Sequence, residues 1–272
     1  MNTSARRSTG RGRGLEAFSY VSLFSAPLVR LGPYVSHGLS LLASYTFSKS
    51  LDDVSSFNIT GSASRPVAGE NDLPQNPFNL AAERGRSMFD ARHRFVLSYE
   101  WSLPWWKQPH GWYQHVLGNW QLNGITTFMS GTPFTVFDSQ DVSLEGSAPE
   151  ITGFSSNRPN LVGDPKSGPH TVQEWFNINA FQRLNPAAQA GQFGTAGRNI
   201  AEGPGYQDWD FSASKNIPLA EAKQLQFRAE AFNVFNHANF RLPDSDISSP
   251  TFGQIQEALP PRLIQLAMKF LF

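Results

Sequence analysis

The chain closes on "RLIQLAMKFLF", residues 262–272. Taken every second residue, Ile264, Leu266, Met268, Phe270 and Phe272 form a wholly apolar row. Leu263, Gln265, Ala267, Lys269 and Leu271 form a mixed one. A period of two is that of a strand with different surroundings on its two faces. A soluble domain usually finishes on frayed polar residues, so the rest of the sequence has to say what the apolar row faces.

Five further segments alternate in the same way. "GLSLLASYTFSKS" sets Leu39, Leu41, Ala43, Tyr45 and Phe47 against Ser40, Ser44, Thr46 and Ser48. "RHRFVLSYEWSL" sets Phe95, Leu97, Tyr99, Trp101 and Leu103 against Arg94, Ser98, Glu100 and Ser102. "NWQLNGITTFMS" places Trp120, Leu122 and Phe128 opposite Gln121 and Asn123, less cleanly. "QDWDFSASKNI" places Trp209, Phe211, Ala213 and Ile217 opposite Asp208, Asp210, Ser212 and Ser214. Lys215 interrupts that apolar row near the strand end, where its stem can snorkel. "KQLQFRAEAFNVFN" places Leu225, Phe227, Ala229 and Ala231 opposite Gln226, Arg228 and Glu230. The pattern predicts six antiparallel strands near 38–50, 92–103, 119–130, 207–217, 223–236 and 262–272, each paired with its sequence neighbour. Residues 17–31 offer a poor seventh, interrupted by Pro27. Strands of about ten residues exceed the ~5–6 usual in soluble sheets and match what a tilted strand needs to cross a bilayer.

The connections alternate between long and short. They run from about 51 to 91, through "PWWKQPHGWYQHVLG", from about 133 to 206, through "PLAEA", and from 237 to 261. In an up-and-down meander all the long ones fall on one side, the arrangement of an outer-membrane β-barrel with short periplasmic turns and long external loops. The apolar rows then meet lipid and the polar rows line the lumen. Trp101, Trp105, Trp106, Trp112 and Trp120 flank the second connection and suit an interfacial girdle on the short-turn side. A soluble aromatic core is the competing reading of the same residues.

Bulk composition agrees. The 272 residues carry 22 Lys+Arg and 22 Asp+Glu, so no net charge draws the chain to nucleic acid. With 22 Gly, 19 Pro and 22 Phe, short strands and many turns are expected rather than helices. The absence of cysteine excludes disulfides, thiol nucleophiles and Cys-held metals. Residues 1–37, with Arg6, Arg7, Arg11 and Arg13, read as a disordered or truncated segment without an export signal. Residues 38–272 read as the barrel portion.

Several phrases then carry a resemblance. They are "HGLSLLASYTFSKSLDD", "DARHRFVLSYEW", "GNWQLNGITTFMSGTPFTV", "NRPNLVGDP", "WFNINAFQ", "FGTAGRNIAEGPGYQDWDFSASKN" and "LQFRAEAFNVFNHANF". In this order, from about His37 to Phe272, the sequence resembles the C-terminal part of TonB-dependent outer-membrane receptors. It is most similar to the Oar-like subset that carries a carboxypeptidase-regulatory-like domain. The resemblance implies a segment of a barrel of about 22 strands that encloses a plug and imports a nutrient when TonB pulls on it. It also implies three partners: outer-membrane lipid, the barrel-assembly machinery, and TonB, the last only through a plug that this sequence lacks. The row Ile264, Leu266, Met268, Phe270 and Phe272 is similar to the outer-membrane assembly signal. On this reading the chain is a fragment, not a competent transporter by itself.

Sites of chemistry are sparse. No HExxH, Walker-type loop or GxSxG elbow occurs, and the six histidines lack ligand spacing. No metal, cofactor or catalytic residue is expected. Gly191, Gly194 and Gly197 suit loop turns better than a phosphate cradle. Arg94, Glu100, Asp208, Asp210, Arg228 and Glu230 read as paired lumenal charges rather than an acid/base set. In the longest loop Trp175, Phe176 and Phe181 are candidate ligand contacts, with loop packing as the simpler account. The rival to the barrel is a soluble β-sandwich acting as a carbohydrate-binding module; a glycoside hydrolase is weaker, since no carboxylate pair stands out.

Overall fold

The structure, a computed structural model, describes residues 23–25, 28–53, 55, 74–105, 111–145, 157–220 and 223–272. Seven long strands form one antiparallel sheet in which each pairs only with its sequence neighbours. They are β1 (Leu28–Ser36), β2 (Leu39–Phe47), β3 (His93–Ser102), β4 (Trp120–Met129), β5 (Tyr206–Ala220), β6 (Lys223–Phe232) and β7 (Leu263–Leu271). The sheet is open, with β1 and β7 at its edges.

All six expected strands are present; the poor seventh offered at 17–31 overlaps β1 only at 28–31, and β1 displaces the expected edge from 38–50 to Leu28–Ser36. It begins after Pro27 and returns into β2 through His37 and Gly38, whose φ angles are 49° and 81°. Two left-handed residues in succession make the hairpin turn whose twist suits flanking strands. A Cβ on Gly38 would also run into the Ser102 carbonyl oxygen. Period-two reading misses β1 because of a bulge. Leu31 pairs with Ala43, and the next pair is Tyr34 with Leu41, three residues against two. A bulge at Gly32–Pro33 shifts the phase and accommodates a proline that cannot donate to the ladder. Residues 1–22, with the arginines of the expected tail, and Trp106 lie outside the described residues.

Two other boundaries moved. β5 continues through Pro218 to Ala220 with a register shift between Pro218 and Ala220, absorbing most of the expected "PLAEA" turn. β6 stops at Phe232 rather than 236, because Asn233 turns left-handed at φ 49°. The Asn233 amide then clasps residue 237, donating to His237 O at 2.8 Å while its Oδ1 accepts from His237 N at 2.8 Å.

Register aligns the rows that were read strand by strand. Tyr45 pairs with Phe95, Phe95 with Phe128, and Phe128 with Gln207. Four residues along, Leu41, Tyr99, Gly124, Phe211, Ala231 and Ile264 follow one another across six strands. The apolar residues therefore share a face, and Ser98, Glu100, Asp208, Asp210, Arg228 and Glu230 share the other. The β5–β6 hairpin runs past the last β4–β5 pair, Trp120 with Lys215, a stagger typical of tilted barrel strands.

Long connections, residues 48–92, 130–205 and 233–262, all leave one end of the sheet; 37–38, 103–119 and 221–222 leave the other. The 103–119 connection carries one short helix, α1 (Trp112–Leu117), where only a turn was expected. Burial is inverted relative to a soluble sandwich. Among the described residues, every buried apolar side chain belongs to the loops and none to the seven long strands. The other strands described are only two to four residues long, so no second sheet covers the apolar face. Leu31, Leu266 and Met268 are 65%, 69% and 72% exposed. The sandwich reading fails here.

Candidate functional site

Three regions are built from these elements: an apolar outer surface, a polar inner wall, and a folded unit made of the three long loops.

On the apolar surface the aromatics gather at two levels. At the short-turn end, Trp101 meets Trp105 edge-on at 5.9 Å, and Trp112 is exposed. Lys215 lies on the apolar face but its ammonium sits 5.3 Å over the Trp120 ring. It donates to the carbonyls of Val116 and Gly118 at 2.9 and 2.6 Å. Val116 O also accepts from the Trp120 indole N–H at 3.0 Å, so the ammonium snorkels to carbonyls at and just past the end of α1. At the long-loop end a second girdle appears that the sequence reading missed. Phe128 and Phe235 each meet the Trp209 ring edge-on at 5.1 Å, and Phe47 lies 5.1 Å from His93. These residues were legible one strand at a time; that they lie level needed the register. From His93 to Trp101 is about 26 Å at ~3.3 Å per residue, the scale of the ~25 Å apolar band of outer-membrane barrels.

The polar wall is hydrogen-bonded within itself. Gln121 donates to Glu100 at 2.6 Å, Gln226 to Asn216 at 3.0 Å, and Arg228 pairs with Glu230 at 2.9 Å. Tyr206 donates to Asp208 at 3.0 Å, and Asp210 accepts from Asn233 N at 3.1 Å. These contacts tie the wall's polar groups together, and among the described residues Asp208 and Asp210 bring their carboxyls side by side.

The loop unit holds the hydrophobic core. Phe134, Val136, Phe176, Ala180, Phe181, Ala196 and Ala201 are buried together, with Phe252 packed against them. Phe176 meets Phe134 at 5.4 Å and Phe252 at 5.3 Å. Of the candidate ligand contacts, Phe176 and Phe181 are thus 1% and 7% exposed and occupied by packing, the simpler account weighed for them. Trp175 differs: its indole N–H donates to Glu202 O at 3.0 Å and its ring reaches the surface beside β3–β5.

Ion pairs join one loop to the next. Arg158 makes a two-pronged contact with Glu83 at 2.7 and 2.8 Å, both side chains being buried. Arg198 pairs with Asp52 and donates to Glu83 O at 2.8 Å. Arg86 bridges Asp90 at 2.7 Å and Glu202 at 3.1 Å. The third loop is tied in by its backbone: Phe137 N donates to Ser245 O at 3.0 Å and Trp175 N to Gly253 O at 2.8 Å. Gly194 fits this packing because a Cβ would collide with the carbonyl oxygens of Arg158 and Pro159. Gly194→Ala is expected to destabilise the unit by about 1–3 kcal/mol, seen as faster protease cleavage in residues 130–205 than in the parent.

Asp246 adds a pH dependence. Burial alone would raise its carboxyl, but hydrogen bonds from the Ser139 and Ser248 hydroxyls and backbone N–H groups outweigh this and hold it below its ordinary value. A depressed carboxylate contributes stability that is present above the unfolded value of about 3.9 and is lost as pH falls through the folded value. Acid titration of loop protease resistance is expected to decline below that point, and Asp246→Asn to flatten the decline.

The model of the family described as "Outer membrane beta barrel domain" matches residues 21–265. The chain belongs to that family. Among curated proteins, no sequence matches. A similar solved structure is the ferric citrate transporter FecA in its unliganded form, 14% identical, with a TM-score of 0.37 over 86% of this chain. The chain spans 21% of that structure's length. In outer-membrane barrels the apolar face meets lipid, the polar face lines the lumen and the long loops point outward.

Proposed function

We propose that this barrel domain is the C-terminal part of a TonB-dependent outer-membrane receptor of the Oar-like subset, serving energised nutrient uptake. The ordered phrases from about His37 to Phe272 support the family assignment. The observation that carries the partial-barrel reading is the pair of free edges. Among the described residues β1 and β7 each pair on one side only, and lipid cannot satisfy the unpaired backbone groups such edges leave. The smallest single-chain outer-membrane barrels need about 8 strands and fill their bore with side chains. The inner wall here carries small residues, Ser40, Ser44, Ser98, Ser212 and Ser214, which suit a wide lumen occupied by something else. On this reading the chain supplies wall and external loops to a wider barrel whose uptake TonB energises.

The exposed row Ile264, Leu266, Met268, Phe270 and Phe272, on an edge strand, is proposed as the feature read by the barrel-assembly machinery. The partial-barrel reading is tested by refolding the 272-residue chain in detergent. Aggregates, or open sheets that pair edge to edge, are expected. A monodisperse monomer with heat-resistant β structure and no free edge would sink it.

A further inference from the structure

A cleft of about 570 Å³ opens where the long-loop ends of β2–β5 meet the loop unit. Its floor is Tyr45, Phe95, Phe128 and Gln207, which register places on the apolar face. Its outer wall is Trp175, His237 and Phe240 from two long loops. The cleft is therefore continuous with the lipid-facing surface of the barrel and roofed by residues that stand in the headgroup region.

We infer that this cleft binds one acyl chain of an outer-leaflet lipid, holding the lipid in place rather than letting it exchange freely. Three observations select that occupant. The floor is an unbroken extension of a surface whose cover is lipid. The lining is mostly apolar and aromatic, with polar groups at the Tyr45–His93 and the Gln207–His237 contacts. Those groups are partly committed to each other: Tyr45 Oη contacts His93 Nδ1 at 2.8 Å, and Gln207 Nε2 contacts His237 Nε2 at 2.6 Å. The second His93 ring nitrogen, Nε2, can serve as a hydrogen-bonding group for a lipid's polar head. A soluble polar ligand would have to leave water for a site open to the membrane; an acyl chain enters it from hydrocarbon and lies along aromatic faces, as chains do at the aromatic belt.

The proposal rests on the apolar face meeting lipid, and its test separates the two. Cells producing the protein are fed a diazirine-bearing fatty acid, which enters their lipids; isolated outer membranes are irradiated and labelled residues are mapped by mass spectrometry. Tyr45 and Phe128 are 38% and 37% exposed, whereas Leu266 and Met268 are 69% and 72% exposed. Lipid that merely surrounds the barrel labels in proportion to exposure. A held chain is expected to label Tyr45, Phe95 and Phe128 several-fold above that proportion. Ala238→Trp, which fills the cleft from its exposed loop side, is expected to abolish the excess and leave labelling at Leu266 unchanged. Labelling that follows exposure, or an excess that survives Ala238→Trp with the loops still protease-resistant, overturns the proposal. Absence of labelling on the whole apolar face overturns the membrane assignment as well.

Discussion

Arg158→Ala is expected to destabilise the loop unit by about 3–5 kcal/mol, the cost of leaving one member of a buried ion pair unpaired. Glu83 is 4% exposed and Arg158 5%, so neither charge can turn to water when its partner is removed. The loss extends past one contact. Gln75 N donates to Glu83 at 3.1 Å, and Arg158 N donates to Gln75 Oε1 at 2.7 Å, so the pair is the centre of a network across two loops. The measurement is limited proteolysis of the folded protein with denaturant titration of the loops. Cleavage is expected in residues 74–92 and 157–205 while the strands stay protected. Replacing both partners together, Arg158→Met with Glu83→Leu, is expected to recover most of the loss, because an apolar pair of similar volume removes the uncompensated charge. Equal damage from the single and double variants would show that size and shape, not charge, set the cost.

Leu97→Arg is expected to cost about 2–4 kcal/mol in a barrel folded in lipid, the depth-dependent cost of a lipid-facing charge near the bilayer middle. Leu97 pairs with Ala43 and Thr126, midway between the His93 and Trp101 levels of the two girdles. Phe227→Arg, on the same face between Lys215 and Met268, is expected to behave alike. Ser98→Arg, one residue from Leu97 and in register with Leu42 and Ile125 on the inner wall, is expected to cost much less. Reversible unfolding from lipid, on a barrel with its edges closed, measures all three. The same cost at Leu97 and Ser98 would reverse or abolish the assignment of faces.

The seven-strand meander and its inverted burial follow from physics that acts at short range along the chain. Alternation depends only on neighbours two apart, so the apolar rows of β2 to β7, the polar wall and the long-short rhythm of the loops were all legible in the residues. β1 was not, because its bulge at Gly32–Pro33 breaks the period on which that reading depends. The second aromatic girdle was not either, since its level appears only when Phe95, Phe128 and Gln207 are placed in register. The loop core had no local signal at all. Arg158 and Glu83 stand 75 residues apart and Arg198 and Asp52 146 apart, in segments without a period, where no local phrase indicates the partner. Only the tertiary structure brings such residues together, because burying a charge is tolerable only where its partner is already in place. The same limit applies to the lipid cleft: its floor comes from strands, its outer wall from two distant loops, and its position from the meeting of both. Local alternation determined which face of this protein is apolar; long-range packing decided what the loops enclose.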